Sequence, residues 1–122
     1  MQFTSALRIW AFAASLAVLP LTAAAEALVL MMVEQPGCIY CLRWDAEIAP
    51  KYELTDEGRR APLQRQQLRA ALPEGVTFDR PAIFTPTFVL LRDGVEAGRI
   101  EGYPGEDFFW GLLGQMLDRT AP

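Results

Sequence analysis

Seven consecutive apolar residues, Ala27-Leu28-Val29-Leu30-Met31-Met32-Val33, constrain this chain more than any other stretch. Glu34 and the Pro36-Gly37 pair bound the run, and its length suits a strand better than a helix. A strand that is apolar at every position has no face to give to water. It therefore belongs in the middle of a sheet that is covered on both sides. A buried helical segment is the alternative that the pattern leaves open.

Directly after this run comes Cys38-Ile39-Tyr40-Cys41, which holds both cysteines of the chain. Leu42, Trp44, Asp45, Glu47 and Ile48 continue it as an amphipathic helix with Cys41, Trp44 and Ile48 on one side, and Pro50 kinks or ends that helix. Trp44 is read as core packing. Two cysteines three positions apart in the first helical turn share a face and lie close enough to form a disulfide. Cys38, at the helix start, faces unpaired N–H groups and the positive end of the helix dipole, which favour a thiolate. That makes Cys38 the candidate nucleophile. Cys41, one turn inside and more buried, is the candidate resolving thiol, attacking once a mixed disulfide forms at Cys38.

Two other chemistries compete for the pair. A structural bridge around two residues removes far less unfolded-state entropy than one closing about 15 residues, for which the estimate is roughly 3 kcal/mol. A soft ion such as Cu(I) could sit between the two sulfurs. Structural zinc takes four Cys or His ligands, and this chain has two Cys and no His.

The N-terminal segment reads as an address. Met1 to Arg8 carries one basic side chain, Ile9 to Leu21 is apolar, and Ala23-Ala24-Ala25 has the small-residue pattern of a cleavage site. The expectation is a secretory signal peptide over residues 1–25, with the domain in 26–122. An apolar run of this length falls short of the roughly 20 residues that span a bilayer. Of the 11 Lys and Arg, Arg8 leaves with the signal, so ten basic residues face 15 acidic ones in the mature chain. That balance argues against a general nucleic-acid surface. Outside the cytoplasm disulfides persist, so the pair is either oxidised by default or kept reduced by a dedicated donor.

Further along, Thr55-Asp56-Glu57 can cap a short helix that Gly58 weakens. Leu63 to Leu68 is a short strand or the start of a helix. Arg59, Arg60, Arg65 and Arg69 form the one basic concentration, either a solvated face or a dock for an acidic partner. Thr85-Pro86-Thr87-Phe88-Val89-Leu90-Leu91 reads as a strand entered through a proline, and Asp93-Gly94 as a hairpin turn into Val95–Ile100. Gly98, Gly102 and Gly105 punctuate the end of that return strand. Glu106 to Leu117 places Phe108, Phe109, Leu112, Leu113, Met116 and Leu117 at helical spacing, with the aromatics assigned to the core.

The order strand, Cys-x-x-Cys, helix, Thr-Pro-Thr strand, hairpin, Gly-Tyr, helix resembles the thioredoxin superfamily. The resemblance implies an α/β thioredoxin-like fold, a central mixed sheet flanked by helices on both faces, with Pro86 in the cis form facing Cys38. It also implies that Thr85 and Pro86 shape the substrate groove, Thr85 offering its backbone to an extended segment. Ile39 and Tyr40 replace the Gly-Pro of typical thioredoxins and tune the pair, with plain packing of Tyr40 on the sheet as the alternative. Thioredoxins usually place an acid six residues before the first cysteine, where it helps deprotonate the resolving thiol; Met32 stands there, and Glu34 is the nearest acid on that strand.

Pro36-Gly37-Cys38-Ile39-Tyr40-Cys41, the Glu-Gly-Arg-Arg-Ala-Pro-Leu stretch, Phe84-Thr85-Pro86-Thr87-Phe88 and the signal together resemble the periplasmic thioredoxin-like proteins of bacterial sulfur-oxidation systems. That narrower resemblance implies a periplasmic reductase of protein disulfides. It would keep a sulfur-carrier protein active and be recharged by a membrane electron donor of the cytochrome c biogenesis type. No cofactor or metal is expected, since the electrons travel in the disulfide itself. An envelope Cu(I) chaperone using Cys38 and Cys41 with Met31 or Met32, and a non-catalytic adaptor, are the alternatives. A monomer is expected.

Overall fold

The computed structural model of the chain describes residues 17, 18 and 27–120. The expected signal peptide and its cleavage site thus lie almost wholly outside the described residues. Four strands form one sheet in the order β2-β1-β3-β4. The elements are β1 (Leu28–Glu34), α1 (Ile39–Glu47), α2 (Ala49–Tyr52), α3 (Asp56–Arg60), β2 (Leu63–Gln67), β3 (Thr87–Arg92), β4 (Val95–Glu101) and α4 (Glu106–Thr120). β1 is central as its composition predicts, and Leu30, Met31, Met32 and Val33 are all buried.

Parallel strands need a long crossover, and α1 to α3 supply it between β1 and β2, which pair in parallel with Met32 opposite Arg65. β3 lies antiparallel to β1, and β4 antiparallel to β3. Asp93 and Gly94 turn the β3–β4 hairpin with φ of 51° and 84°, the left-handed pair that matches strand twist. Gly94 is needed twice over. A Cβ there would lie 2.1 Å from the Gly75 oxygen, because the segment before β3 crosses the hairpin at this point.

Alternation along the strands divides the core. Leu30, Met32, Phe88 and Leu90 face α1 and α4, joining Trp44, Phe109, Leu113 and Leu117 in the larger cluster. Trp44 is its hub, with ring centroids 5.3 Å from Phe88, 5.7 Å from Phe109 and 6.0 Å from Tyr52. Each such buried side chain contributes about 1.5–3 kcal/mol. Met31, Val89 and Leu91 point the other way, against Val76 and Phe78.

This second face corrects the expectation of helices on both sides. Among the described residues the helices contribute to one cluster only, and the opposite face is covered by the non-helical segment 69–86. Buried ion pairing fastens that cover. Glu96 on β4 accepts from the Asp79 N–H at 2.7 Å and from Arg99 Nε at 2.5 Å, and Arg99 donates to the Arg80 carbonyl at 2.7 Å. A groove of about 420 Å³ remains between this segment and the end of β2.

Smaller expectations resolve as follows. Residues 63–67 are a strand, Thr55 caps α3 by accepting from the Gly58 N–H at 3.0 Å, and α1 ends before Pro50. Gly98 does not end the return strand. It lies within β4, where a Cβ would meet the Met116 sulfur at 3.1 Å. Phe108 is not core, being 69 % exposed, because α4 turns Phe109 inward instead.

Candidate active site

Pro36 and Gly37 turn the chain out of β1, Gly37 at a φ of 78°, and deliver Cys38 as the N-cap of α1. In that position its sulfur accepts a hydrogen bond from the Cys41 N–H at 3.1 Å. An N–H aimed at sulfur from the first turn stabilises negative charge there. The two cysteines are joined as a disulfide with their Cα atoms 5.2 Å apart. Cys38 is partly exposed, whereas Cys41 is 4 % exposed and belongs to the core cluster.

The segment before β3 meets this loop. The Gln35 amide donates to Thr85 Oγ1 at 2.9 Å, and the Thr85–Pro86 peptide is cis, as the resemblance implies. The β1–β3 ladder ends with Val33 opposite Thr87, so Thr85 stands beyond it. Ile39, Tyr40 and Leu42 on one side, and Ile83 and Phe84 next to Thr85, are exposed apolar side chains. Tyr40 is therefore not packed on the sheet.

Sequence reasoning passed over Asp45 and treated Arg65 as one of a basic group. In the structure the four arginines separate. Arg59 pairs with Asp56 and Arg60 with Asp118, while Arg65 reaches Glu34 at 2.5 Å and Asp45 at 2.7 Å. The hydrogen bond to Asp45 is the largest influence on Arg65 and, against partial burial, holds its pKa above the ordinary arginine value. Its guanidinium also lies 5.8 Å from the Trp44 ring centroid and 3.9 Å from the Met32 sulfur. The sequence signal for Asp45 was its place one helical turn after Cys41. Arg65 had none, because its neighbours follow from the β1–β2 register.

A cavity of about 210 Å³ opens on both cysteines and is walled by Glu34 and Asp45. Below, Tyr103 donates its hydroxyl to Glu47, tying the turn after β4 to α1. Burial first, then this bond and the Glu47 charge, pushes the Tyr103 hydroxyl well above the usual tyrosine range.

The soft-metal alternative draws on Cys38 and Cys41 with one of two methionines. Met32 shares the helix-side cluster with Cys41, whereas Met31 lies on the opposite face of the sheet. Among the described residues no group of three or more His, Cys, Asp or Glu is placed to hold a metal ion.

An N-cap cysteine bonded to a buried partner, beside a cis-proline segment on a mixed sheet, is the arrangement of a redox thiol pair. A family model described as a thioredoxin-like domain matches residues 20–117, and the chain belongs to that family. It is a thiol-disulfide oxidoreductase, exchanging disulfides with a protein substrate. Among solved structures it is similar to the periplasmic thioredoxin SoxS from Paracoccus pantotrophus in its reduced form. The two share 62% identity over 77% of this chain and 99% of that chain, with a TM-score of 0.76. The thioredoxin of Malassezia sympodialis (Mala s 13) is 19% identical over 73% of this chain and 74% of that one, with a TM-score of 0.48, too distant to carry an argument. No curated protein matches.

Proposed function

We propose that the chain is a periplasmic reductase of protein disulfides. Cys38 attacks the partner disulfide, a mixed disulfide forms at Cys38, and Cys41 displaces the partner. The observation that carries this order is the asymmetry of the pair: Cys38 is partly exposed with an N–H on its sulfur, and Cys41 is buried one turn inside. Thr85 and Pro86 form the groove for an extended partner segment, a role supported by the Gln35 bond that joins them to the motif loop. Ile39 and Tyr40 adjust the pair from its exposed side.

The likeness to SoxS supports export after removal of residues 1–25. Among the described residues no helix is long and apolar enough to cross a membrane. The substrate on this reading is a sulfur-carrier protein of a sulfur-oxidation system, and the donor a membrane protein of the cytochrome c biogenesis type. The mature protein is equilibrated with glutathione and its free thiols are scored. A potential near about −270 mV, the thioredoxin level, is expected, and one near about −120 mV would overturn the reductase direction. In parallel, Cys41→Ser should hold partner proteins as mixed disulfides, and Cys38→Ser should hold none. Activity that survives serine at either position would replace catalysis with an adaptor role.

A further inference from the structure

Resolution of a mixed disulfide requires Cys41 to lose its proton, and Cys41 is buried. The chain has no histidine, and β1 sends the uncharged Met32 into the cluster around Cys41. The cavity on the two sulfurs has two acids in its wall, Glu34 from β1 and Asp45 from α1, with neutral Gln35 and Gln67 beside them. Asp45 follows Cys41 by four residues, so both side chains leave α1 on one face. Arg65 from β2 bonds both acids, and Arg69 lines the neighbouring cavity that shares Gln35, Pro36 and Gln67.

Charge counting makes this cluster able to accept a proton. Two carboxylates share one guanidinium, which leaves one negative charge that a single proton neutralises. A water occupies about 30 Å³ of liquid volume, so the cavity has room for a bridging chain between Cys41 and the acids. Of the two acids Asp45 is the more exposed, with side-chain exposures of 37% against 20%, so it can pass the proton on to solvent.

We propose that Asp45, held in place by Arg65 and backed by Glu34, is the proton acceptor for Cys41. This rests on the reading of Cys38 as attacking thiol and Cys41 as resolving thiol. The Cys41 thiol gives its proton through cavity water to the Asp45 carboxylate, and its sulfur attacks the Cys38 sulfur of the mixed disulfide. The Cys38–Cys41 bond forms as the bond from Cys38 to the partner breaks. The partner sulfur leaves with the electron pair as a thiolate and takes up a proton. Two electrons pass from the cysteine pair to the partner. Arg65 touches no reacting atom and is a positioning residue.

The test is single-turnover reduction of Ellman's reagent by the reduced full chain, which releases one thiolate on attack by Cys38 and a second on resolution by Cys41. Asp45→Asn should slow the second release about a hundredfold at pH 7, the low end of what a positioned base supplies, and leave the first unchanged. The difference should close above about pH 9, where a thiol ionises unaided, and Asp45→Glu should restore most of the rate. Should Asp45→Asn fail to fold, Asp45→Ser is judged by the same criterion. A second release unchanged in the aspartate variant and in its double variant with Glu34→Gln overturns the proposal. A first release that survives Cys38→Ser but not Cys41→Ser reverses the two cysteines, overturning the underlying reading as well.

Discussion

On one face of the sheet, α1 and α4 press Trp44, Phe109, Leu113 and Leu117 against Leu30, Met32, Phe88 and Leu90. On the other, Met31, Val89 and Leu91 meet Val29 of β1 and Val76 and Phe78 of a segment without helix, and the Glu96–Arg99 pair fastens that segment to β4. The first face is held by apolar area and interlocking rings. The second depends on a few buried charges and hydrogen bonds. The difference bears on function, because the redox pair is built on the first. Cys41 is itself a member of the helix-side cluster, and Glu47 and Asp45 of α1 are bound by Tyr103 and Arg65. A rigid platform under Cys41 keeps its sulfur in reach of Cys38, while the covering segment meets the motif loop at its far end, where Gln35 donates to Thr85.

Three substitutions sharpen this contrast. Trp44→Ala removes the hub of three ring contacts and should cost about 5 kcal/mol, the top of the range for such truncations, read as a lower urea midpoint with loss of redox activity. Glu96→Gln removes the nearer carboxylate from Arg99 and leaves it Glu101 at 3.6 Å. Since the Arg99 and Glu96 side chains are only 6% and 1% exposed, a loss of about 3 kcal/mol is expected, with proteolysis concentrated in 69–86 and Ellman kinetics kept.

The same pair carries a pH signature. Burial acts to raise the Glu96 carboxyl, but bonds from Arg99 and the Asp79 N–H, with the charges of Arg99 and Arg80, outweigh it and hold it below the usual carboxylate range. A depressed carboxyl stabilises fully above the unfolded value of about 4.3 and loses that contribution as pH falls through the folded value. Acid should therefore loosen the loop face in the natural chain, seen as faster amide exchange near Asp79, and Glu96→Gln should flatten that dependence. At the small end, Phe108→Ser should shift stability by no more than about 0.5 kcal/mol, since that ring is exposed although it sits in an apolar stripe. A large loss there would mean that α4 buries a second face.

Much of this was legible in the residues. The seven-residue apolar run required a central strand, Asp93-Gly94 required a hairpin, and two cysteines at the head of an amphipathic helix required a shared face. The failures share a cause. Phe108 and Phe109 are adjacent and equally apolar, and which of them enters the core depends on how α4 is rotated against the sheet. Gly98 looks like a turn residue until Met116 is seen against it.

What the sequence determined by itself was local: periodicity, turn chemistry, and the spacing that lets two sulfurs meet, all of which act within a few residues along the chain. What only the tertiary structure decided was which distant groups share a space. Arg65 comes to Glu34 and Asp45 because β2 pairs in parallel with β1 in one particular register. The cover of the second face, the chain between β2 and β3, is held by Glu96 and Arg99 on a strand that follows it. Strand register and long-range ion pairing are settled by the energy of the whole packed domain, and no window of residues contains that energy.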